Sequence, residues 1–168
     1  MRSYRILKRL SREFYPLMEL SRLPQCEEFL QHGDTTVLLH CVAVAYFSLW
    51  LVKFLHIRCN EKSLVRGALL HDYFLYDWHT PDPSHRMHGF HHAHRALENA
   101  RADVELTPLE ADIIGHHMFP LNLQPPRSRE AAVVCLVDKG CGIYETFGRR
   151  TYPGLRRMIR KAEKKGQL

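Results

Sequence analysis

Apolar stretches of the chain carry histidine and aspartate at positions where core residues are expected. His40 interrupts VLLHCVAVAYFSLWLVKFL, His71 and Asp72 interrupt GALLHDYFLYDWH, and Asp138 interrupts AAVVCLVDKGCGI. A buried carboxylate without a partner costs on the order of several kcal/mol, so both aspartates need a cation or a set of donors. In the two runs that carry the aspartates, the one lysine or arginine is Lys139, which is adjacent to Asp138 and diverges from it by about a quarter turn. Another group must therefore neutralise the two carboxylates.

A metal centre explains this set better than separate pairwise contacts do. Imidazoles and carboxylates are ligands of divalent ions, and here they come from several helices, as in bundle-core sites. A single histidine on an apolar face is more often a hydrogen-bonded core residue than a ligand, so the prediction depends on the whole set. His71 and Asp72 diverge on a helix, yet they can straddle one ion, or Asp72 can bridge two. The remaining candidates are in the runs HHAH and HHMF: His91, His92, His94, His116 and His117.

The segments around these residues are predicted to be helices joined by loops. Asp34 or Thr35 can cap a long helix that runs to about His56, and Asn60 can cap EKSLVRGALLHDYF. A loop with prolines follows, and HHAHRALENARAD contains good helix formers. The first half of the chain therefore predicts helices that carry His40, His71 and Asp72 at their cores.

The second half gives clearer helix signals. Thr107 is followed by Pro108 and Glu110, the pattern of a capping box, and Ser128 can cap SREAAVVCLVDKGCGIYETF. A basic amphipathic helix is predicted at the end, and alternating strand patterns are absent from the sequence. We therefore predict an all-α, single-domain helical bundle of residues 1–168, with a core at about 33–148 and basic helical extensions at both ends.

Composition narrows the classes of protein that are compatible with the chain. The 168 residues carry a net charge of +6, and the basic residues cluster at the two ends, which is typical of solvated helix faces. Nucleic acid is a less favoured partner, because no binding motif accompanies the charge. Five unpatterned cysteines in apolar surroundings predict reduced thiols and a cytoplasmic protein. The apolar run that contains His40 and Lys53 is interpreted as a core helix, so no membrane partner is predicted.

The order His40, then His71 and Asp72, then Asp138 in LVDKGCGIYETF resembles the HD-domain superfamily of metal-dependent phosphohydrolases. The resemblance covers roughly residues 33–148. It implies that these four residues hold a first metal ion. Superfamily members with additional histidines between the HD pair and the last aspartate hold two ions, and the aspartate of the HD pair then bridges them.

For a second ion the resemblance implies one histidine of HHAH, with His92 preferred over His91, and one or both of HHMF. His117 is the preferred residue there, and His116 is the alternative. The Gly-Tyr-Pro signature of cyclic-dinucleotide phosphodiesterases does not follow the His pair, where MFPLNLQPP stands instead. The resemblance is therefore to compact single-domain members that cleave nucleotides or dinucleoside polyphosphates.

The activity implied is hydrolysis of a phosphomonoester, phosphodiester or phosphoanhydride of a small, nucleotide-like substrate by metal-activated water. Catalytic roles are predicted for Asp72, for Lys139 as a source of positive charge, and for His116 or His88 as proton donor. Arg86, His88 and Lys139 are the predicted substrate-binding residues, with Arg95 as an alternative to Arg86.

The cofactor is predicted to be one or two divalent ions of Fe, Mn, Zn, Ni or Co, and the sequence does not distinguish among these metals. Two alternative functions use the same residues differently. In one alternative the chain is a non-catalytic metal or nucleotide sensor. In the other it is a phosphodiesterase that the basic ends direct to RNA. The oligomeric state is not set by the sequence.

Overall fold

The computed structural model describes residues 2–77, 88–148 and 151–164, and these form an all-α domain, as predicted. A short antiparallel sheet, β1 (Leu30–His32) and β2 (Thr35–Thr36), and a 3-10 helix (Leu23–Glu27) join the first two helices. The sheet was not predicted, because its strands are too short to show alternation. The helices are α1 (Arg2–Leu20), α2 (Val37–Phe54), α3 (Glu61–Leu70), α4 (His88–Asp103), α5 (Pro108–His116), α6 (Arg129–Phe147) and α7 (Pro153–Glu163).

Helix α2 is the centre of the domain. It is apolar on every side, which is the pattern of a helix with neighbours all round, and it packs mainly against α3 and α6. It is also long and apolar enough to cross a membrane by length and composition, but 67% of that window is buried inside the fold. In this structure α2 is a core helix, and it carries His40 into the interior.

The predicted caps position three of the helices. Asn60, Thr107 and Ser128 each accept a hydrogen bond from the first turn of α3, α5 and α6, and Thr107 forms the predicted capping box with Glu110. The cap of α2 is Thr36, so the prediction of Asp34 or Thr35 was wrong. The sheet explains the shift, because Thr35 and Thr36 pair with β1 before the helix begins.

Helix α3 is shorter than predicted, and this matters for the site. It ends at Leu70, with His71 as its C-cap and Asp72 in the following turn, whereas the sequence pattern predicted helix as far as Phe74. The two polar residues therefore lie at the end of a helix, where a turn lets both side chains point into the interior.

The two terminal helices also contribute to the core. In α1 the fully buried residues recur at helical spacing, as Ile6, Leu10 and Phe14. Helix α7 buries Leu155 and Ile159 in the same way. The packed core therefore extends on both sides of the predicted range 33–148, and the arginines and lysines of these helices whose burial is described are exposed or half-buried.

Candidate metal centre

Six polar side chains from five helices converge at one place inside the domain. Helices α3 and α5 approach closely, since a Cβ atom on Gly67 would lie only 2.8 Å from the side chain of Ile113. This packing brings the ends of the two helices together, and the rings of His71 and His117 are 4.8 Å apart. The six residues, which we call the His/Asp cluster, are His40 on α2, His71 and Asp72 after α3, His92 on α4, His117 after α5 and Asp138 on α6.

One half of the cluster surrounds oxygen atoms of Asp72 and Asp138. His40 Nε2 is 3.1 Å from Asp138 Oδ1 and 3.7 Å from Asp72 Oδ2. His71 Nε2 lies 3.5 Å from each of the same two oxygen atoms. These four residues are the set that the sequence predicted for a first ion, and the structure brings them together.

The other half of the cluster faces the second oxygen of Asp72. His92 Nε2 is 3.3 Å and His117 Nε2 is 3.4 Å from Asp72 Oδ1, and the two nitrogens are 3.0 Å apart. The Asp72 carboxylate thus lies between two pairs of imidazoles, with one oxygen directed to each pair. This is the arrangement that a carboxylate bridging two ions requires.

The far sides of three imidazoles fix which nitrogen faces the cluster. Nδ1 of His71 contacts the carbonyl oxygen of Ala68 at 2.8 Å, and Nδ1 of His117 contacts that of Ile114 at 2.7 Å. A carbonyl oxygen only accepts, so both Nδ1 atoms carry the proton and donate. His40 Nδ1 lies 2.8 Å from a carboxylate oxygen of Glu145, which accepts in the same way. In the neutral rings each Nε2 therefore presents a lone pair to the cluster.

Lone pairs of imidazoles and carboxylates cannot satisfy one another. Among the described residues, His71 Nε2 and Asp72 Oδ1 are buried without a hydrogen-bond partner. Three overlapping groups of cluster residues place their ligand atoms within 4.8 Å of one another. Convergent acceptors of this kind fit a divalent cation, which takes imidazole nitrogens and carboxylate oxygens as ligands.

The pKa values of two cluster histidines support the same interpretation. Burial alone would lower the pKa of His40, but hydrogen bonds to Asp138 and Glu145 outweigh it and hold the pKa well above its ordinary value. Burial is opposed in the same way at His71, mainly by the charge of Asp72, and its pKa is also well raised. The raised pKa values favour protons on these two rings, which would neutralise the carboxylates while no cation is bound. A bound dication would displace those protons, as is general for histidine sites.

The carboxylates show the reciprocal effect. Burial would raise the pKa of Asp72, but the charge of His71 and the nearby rings of His117 and His92 hold it well below its ordinary value. The pKa of Asp138 is likewise low, because its hydrogen bond with the His40 ring and the His71 ring 3.5 Å away outweigh burial. Both side chains are thus ionised and ready to act as ligands at neutral pH.

Three residues at the site were not predicted from the sequence. Gln31 Nε2 donates to Asp72 Oδ2 at 2.5 Å, and the ring of His32 packs edge-on against that of His40, with centroids 5.9 Å apart. Glu145, fully buried on α6, holds the ring of His40. Of these three residues, only Glu145 could have been identified from the sequence. It follows Asp138 by two helical turns and therefore lies on the same face of α6.

His116 is not part of the His/Asp cluster. Its Nδ1 lies 2.7 Å from Asp112 Oδ1 on the preceding turn of α5, and Asp112 also accepts from the Ser128 hydroxyl. Successive residues diverge by about 100°, so when His117 points inward His116 points away. The prediction of His116 as a further ligand or proton donor at the centre is corrected accordingly.

The other predicted site residues have different surroundings. Lys139 lies at the edge of the cluster, but its ammonium donates to the carbonyl oxygen of His117 at 2.9 Å and to that of Cys135 at 3.3 Å. His91 and Arg95 are exposed. Arg86 and the side chain of His88 are outside the described residues, so the structure does not bear on their predicted roles.

A cavity of about 1040 Å³ leads from the surface to the cluster. Asp72, His92, His117 and Asp138 form its floor, and its walls come from the segment after α5 and from one face of α6. Ligand pockets typically enclose about 300–1,000 Å³, so the volume is sufficient for a small molecule. The candidate metal ligands are therefore accessible from solvent on one side.

No protein-family model matches this chain, and no significantly similar curated protein or solved structure was found. The resemblance to the HD-domain superfamily therefore rests on the residues of the chain itself.

Proposed function

We propose that the protein is a metal-dependent phosphohydrolase that acts on a small phosphorylated substrate. The observation that carries the proposal is the convergence of imidazole Nε2 atoms and carboxylate oxygens on both sides of Asp72, at the floor of a cavity. His40, His71, Asp72 and Asp138 would hold one divalent ion, and Asp72, His92 and His117 a second. Such ions supply Lewis acidity towards a phosphoryl oxygen and make hydroxide available at neutral pH.

The protein's own residues would orient this chemistry. Glu145 fixes the ring of His40, and the Ala68 and Ile114 carbonyls fix the rings of His71 and His117. Partners of this kind hold the tautomer and angle of a ligand and commonly contribute 10–100-fold to metal affinity. Lys139 tethers the end of α5 through the His117 carbonyl and adds positive charge at the cavity edge, where a phosphoryl group would lie.

The test is turnover of an aryl phosphate, a bis-aryl phosphate and a panel of nucleotides with added Mn²⁺. We expect hydrolysis by the wild type and a loss of at least about a thousandfold in Asp72→Ala, with the helical circular dichroism spectrum retained. Asp34→Ala is the matched control, because Asp34 forms an exposed ion pair with Arg156 of α7 and is not one of the six cluster residues. Hydrolysis that persists in Asp72→Ala would contradict the proposal.

A non-catalytic sensor is the main alternative with the same centre. It predicts that Mn²⁺ and a nucleotide bind without turnover of any substrate in the panel, and that Asp72→Ala abolishes binding. The same panel, followed by calorimetry, separates the two functions.

RNA-directed phosphodiesterase activity is favoured by one observation, a basic surface on α7. Arg156, Arg157, Arg160, Lys161 and Lys164 line a shallow cavity of about 710 Å³ together with Asp34. Among the residues that the structure describes, this cavity shares no lining residue with the one above the His/Asp cluster. If the protein binds RNA, its retention on immobilised RNA should fall steeply with salt concentration on a log–log plot. Retention that does not depend on salt concentration would exclude this alternative.

A further inference from the structure

The walls of the cavity above the His/Asp cluster are apolar, in contrast to its floor. Met118, Pro120 and Leu121 line one side, and Ile143 and Phe147 line the other. Ile143 and Phe147 are 65% and 85% exposed, which is unusual for large apolar side chains one turn apart on one helix. These five residues, which we call the apolar wall, form an exposed surface continuous with the candidate metal ligands.

Positive charge in the cavity is scarce. Among the lining residues within the described part of the chain, Lys139 is the only lysine or arginine, and its ammonium already donates to two carbonyl oxygens. A triphosphate or a dinucleoside polyphosphate carries several negative charges that need cationic partners beyond the metal site. The described walls offer them apolar surface instead, and burying unpaired charge against such surface is costly.

We propose that the substrate is a monophosphate ester of a largely apolar alcohol, whose phosphate meets the His/Asp cluster while its apolar body covers the apolar wall. This inference rests on the proposed function and names the substrate class for that site. It accounts for both exposed residues, because a bound apolar body would remove Ile143 and Phe147 from water.

Direct binding of alkylphosphonates tests this inference without turnover, since their carbon–phosphorus bond is not the ester bond of the reaction. Methyl-, propyl- and hexylphosphonate are titrated by calorimetry into the Mn²⁺-loaded full chain. We expect affinity to increase on the order of threefold for each added methylene as the apolar wall becomes covered. Ile143→Ser should weaken hexylphosphonate at least about threefold and leave methylphosphonate unchanged.

Leu136→Ser is the matched control. Leu136 lies on α6 and is 65% exposed, like Ile143, but it does not line the cavity. It should therefore leave the whole series unchanged. Equal affinity for all three phosphonates, no binding of any of them, or the same effect from both substitutions would overturn the inference.

The inference and the proposed function can fail separately. Chain-length-dependent binding that responds to Ile143→Ser, together with no hydrolysis of any phosphoester, would support the apolar site and contradict the enzyme. Hydrolysis of nucleoside triphosphates that is faster than hydrolysis of hexyl phosphate and insensitive to Ile143→Ser would keep the enzyme and overturn the inference.

Discussion

Two buried carboxylates in this protein have opposite surroundings. Glu110 accepts from the backbone and the guanidinium of its neighbours: one oxygen completes the capping box of α5 with Thr107, and the other lies 3.2 Å from Arg66 Nε. Asp72 is equally buried, but it accepts from Gln31 through one oxygen only, and the other oxygen faces imidazole nitrogens.

The difference distinguishes a carboxylate that is satisfied within the chain from one that we propose as a metal ligand. Donors within the chain compensate the burial of Glu110, so its role is to stabilise the end of a helix. Asp72 is surrounded by groups that accept when neutral, and the fold holds those groups in place through their far sides. Residues that are well held but not mutually satisfied fit the metal site that we propose.

Among the further substitutions considered below, the largest effect on turnover should appear when the two adjacent histidines at the end of α5 are compared. His117→Ala removes a cluster imidazole, and we expect turnover to fall at least about a hundredfold, because ligand geometry on one side of Asp72 is lost. His116→Ala removes a ring that contacts Asp112 outside the cluster, and turnover should change less than about twofold. Steady-state kinetics with added Mn²⁺ measures both. Equal losses would mean that the cluster is not distinct from its surroundings.

The substitution Glu145→Gln tests the residue that holds the His40 ring on the side away from the cluster. The amide keeps the shape of Glu145 but removes the charge that holds His40 Nδ1. We expect Mn²⁺ affinity to decrease about 10–100-fold, as for other residues that orient a metal-bound histidine. Competition against a fluorescent chelator gives the dissociation constant. Thr146→Ala, at the next position on α6 with an exposed side chain, is the control and should have no effect.

The substitution Arg66→Met tests Glu110, the buried carboxylate that has its partners within the chain. It removes the guanidinium partner of buried Glu110, and we expect a loss of about 2 kcal/mol in the free energy of unfolding. For a domain of this size this corresponds to roughly 4–8 °C in the melting temperature. Urea unfolding and thermal melts measure it. Metal content should stay at the wild-type level, and a loss of metal in this variant would remove the distinction between the two carboxylates.

The smallest effect concerns a paired carboxylate at the domain edge. Burial would raise the pKa of Asp103, but hydrogen bonds from Arg22 and Tyr73 outweigh it, so its pKa is below the ordinary value. A carboxyl group with a lowered folded pKa stabilises the fold above its unfolded pKa of about 3.9, and this contribution is lost as pH falls through the folded pKa.

We therefore expect Asp103→Asn to be less stable than the wild type at pH 7, by less than about 1 kcal/mol. The difference should shrink as pH falls below about 4. Urea unfolding of both proteins at pH 7 and pH 3 checks this, and a difference that grows on acidification would contradict it.

Much of the helical framework was predictable from local chemistry. Asn60, Thr107 and Ser128 combine a cap side chain with good helix formers, and each begins a helix as predicted. The cap of α2 was missed because pairing with β1 holds Thr35 in a strand. The end of α3 was missed because Tyr73 and Phe74 continue an apolar pattern beyond the last helical turn.

The site was predictable where composition conflicted with burial. An imidazole or carboxylate in an apolar run, as at His40 and Asp138, is visible in a sequence because the surrounding helix predicts an interior position. Gln31 and His32 were missed because they precede the turn at Gly33 in a segment without periodicity. Their contacts with Asp72 and His40 are made across the fold, where β1 packs against α2 and α6.

The most direct test of the central claim is elemental analysis of the untagged protein, purified without chelators, for the wild type, Asp72→Ala and Glu110→Gln. Our account predicts at least one equivalent of a divalent transition metal per chain in the wild type and in Glu110→Gln, and its loss in Asp72→Ala. A folded wild type that contains no metal and takes up none on addition, or the same metal content in all three proteins, would contradict it.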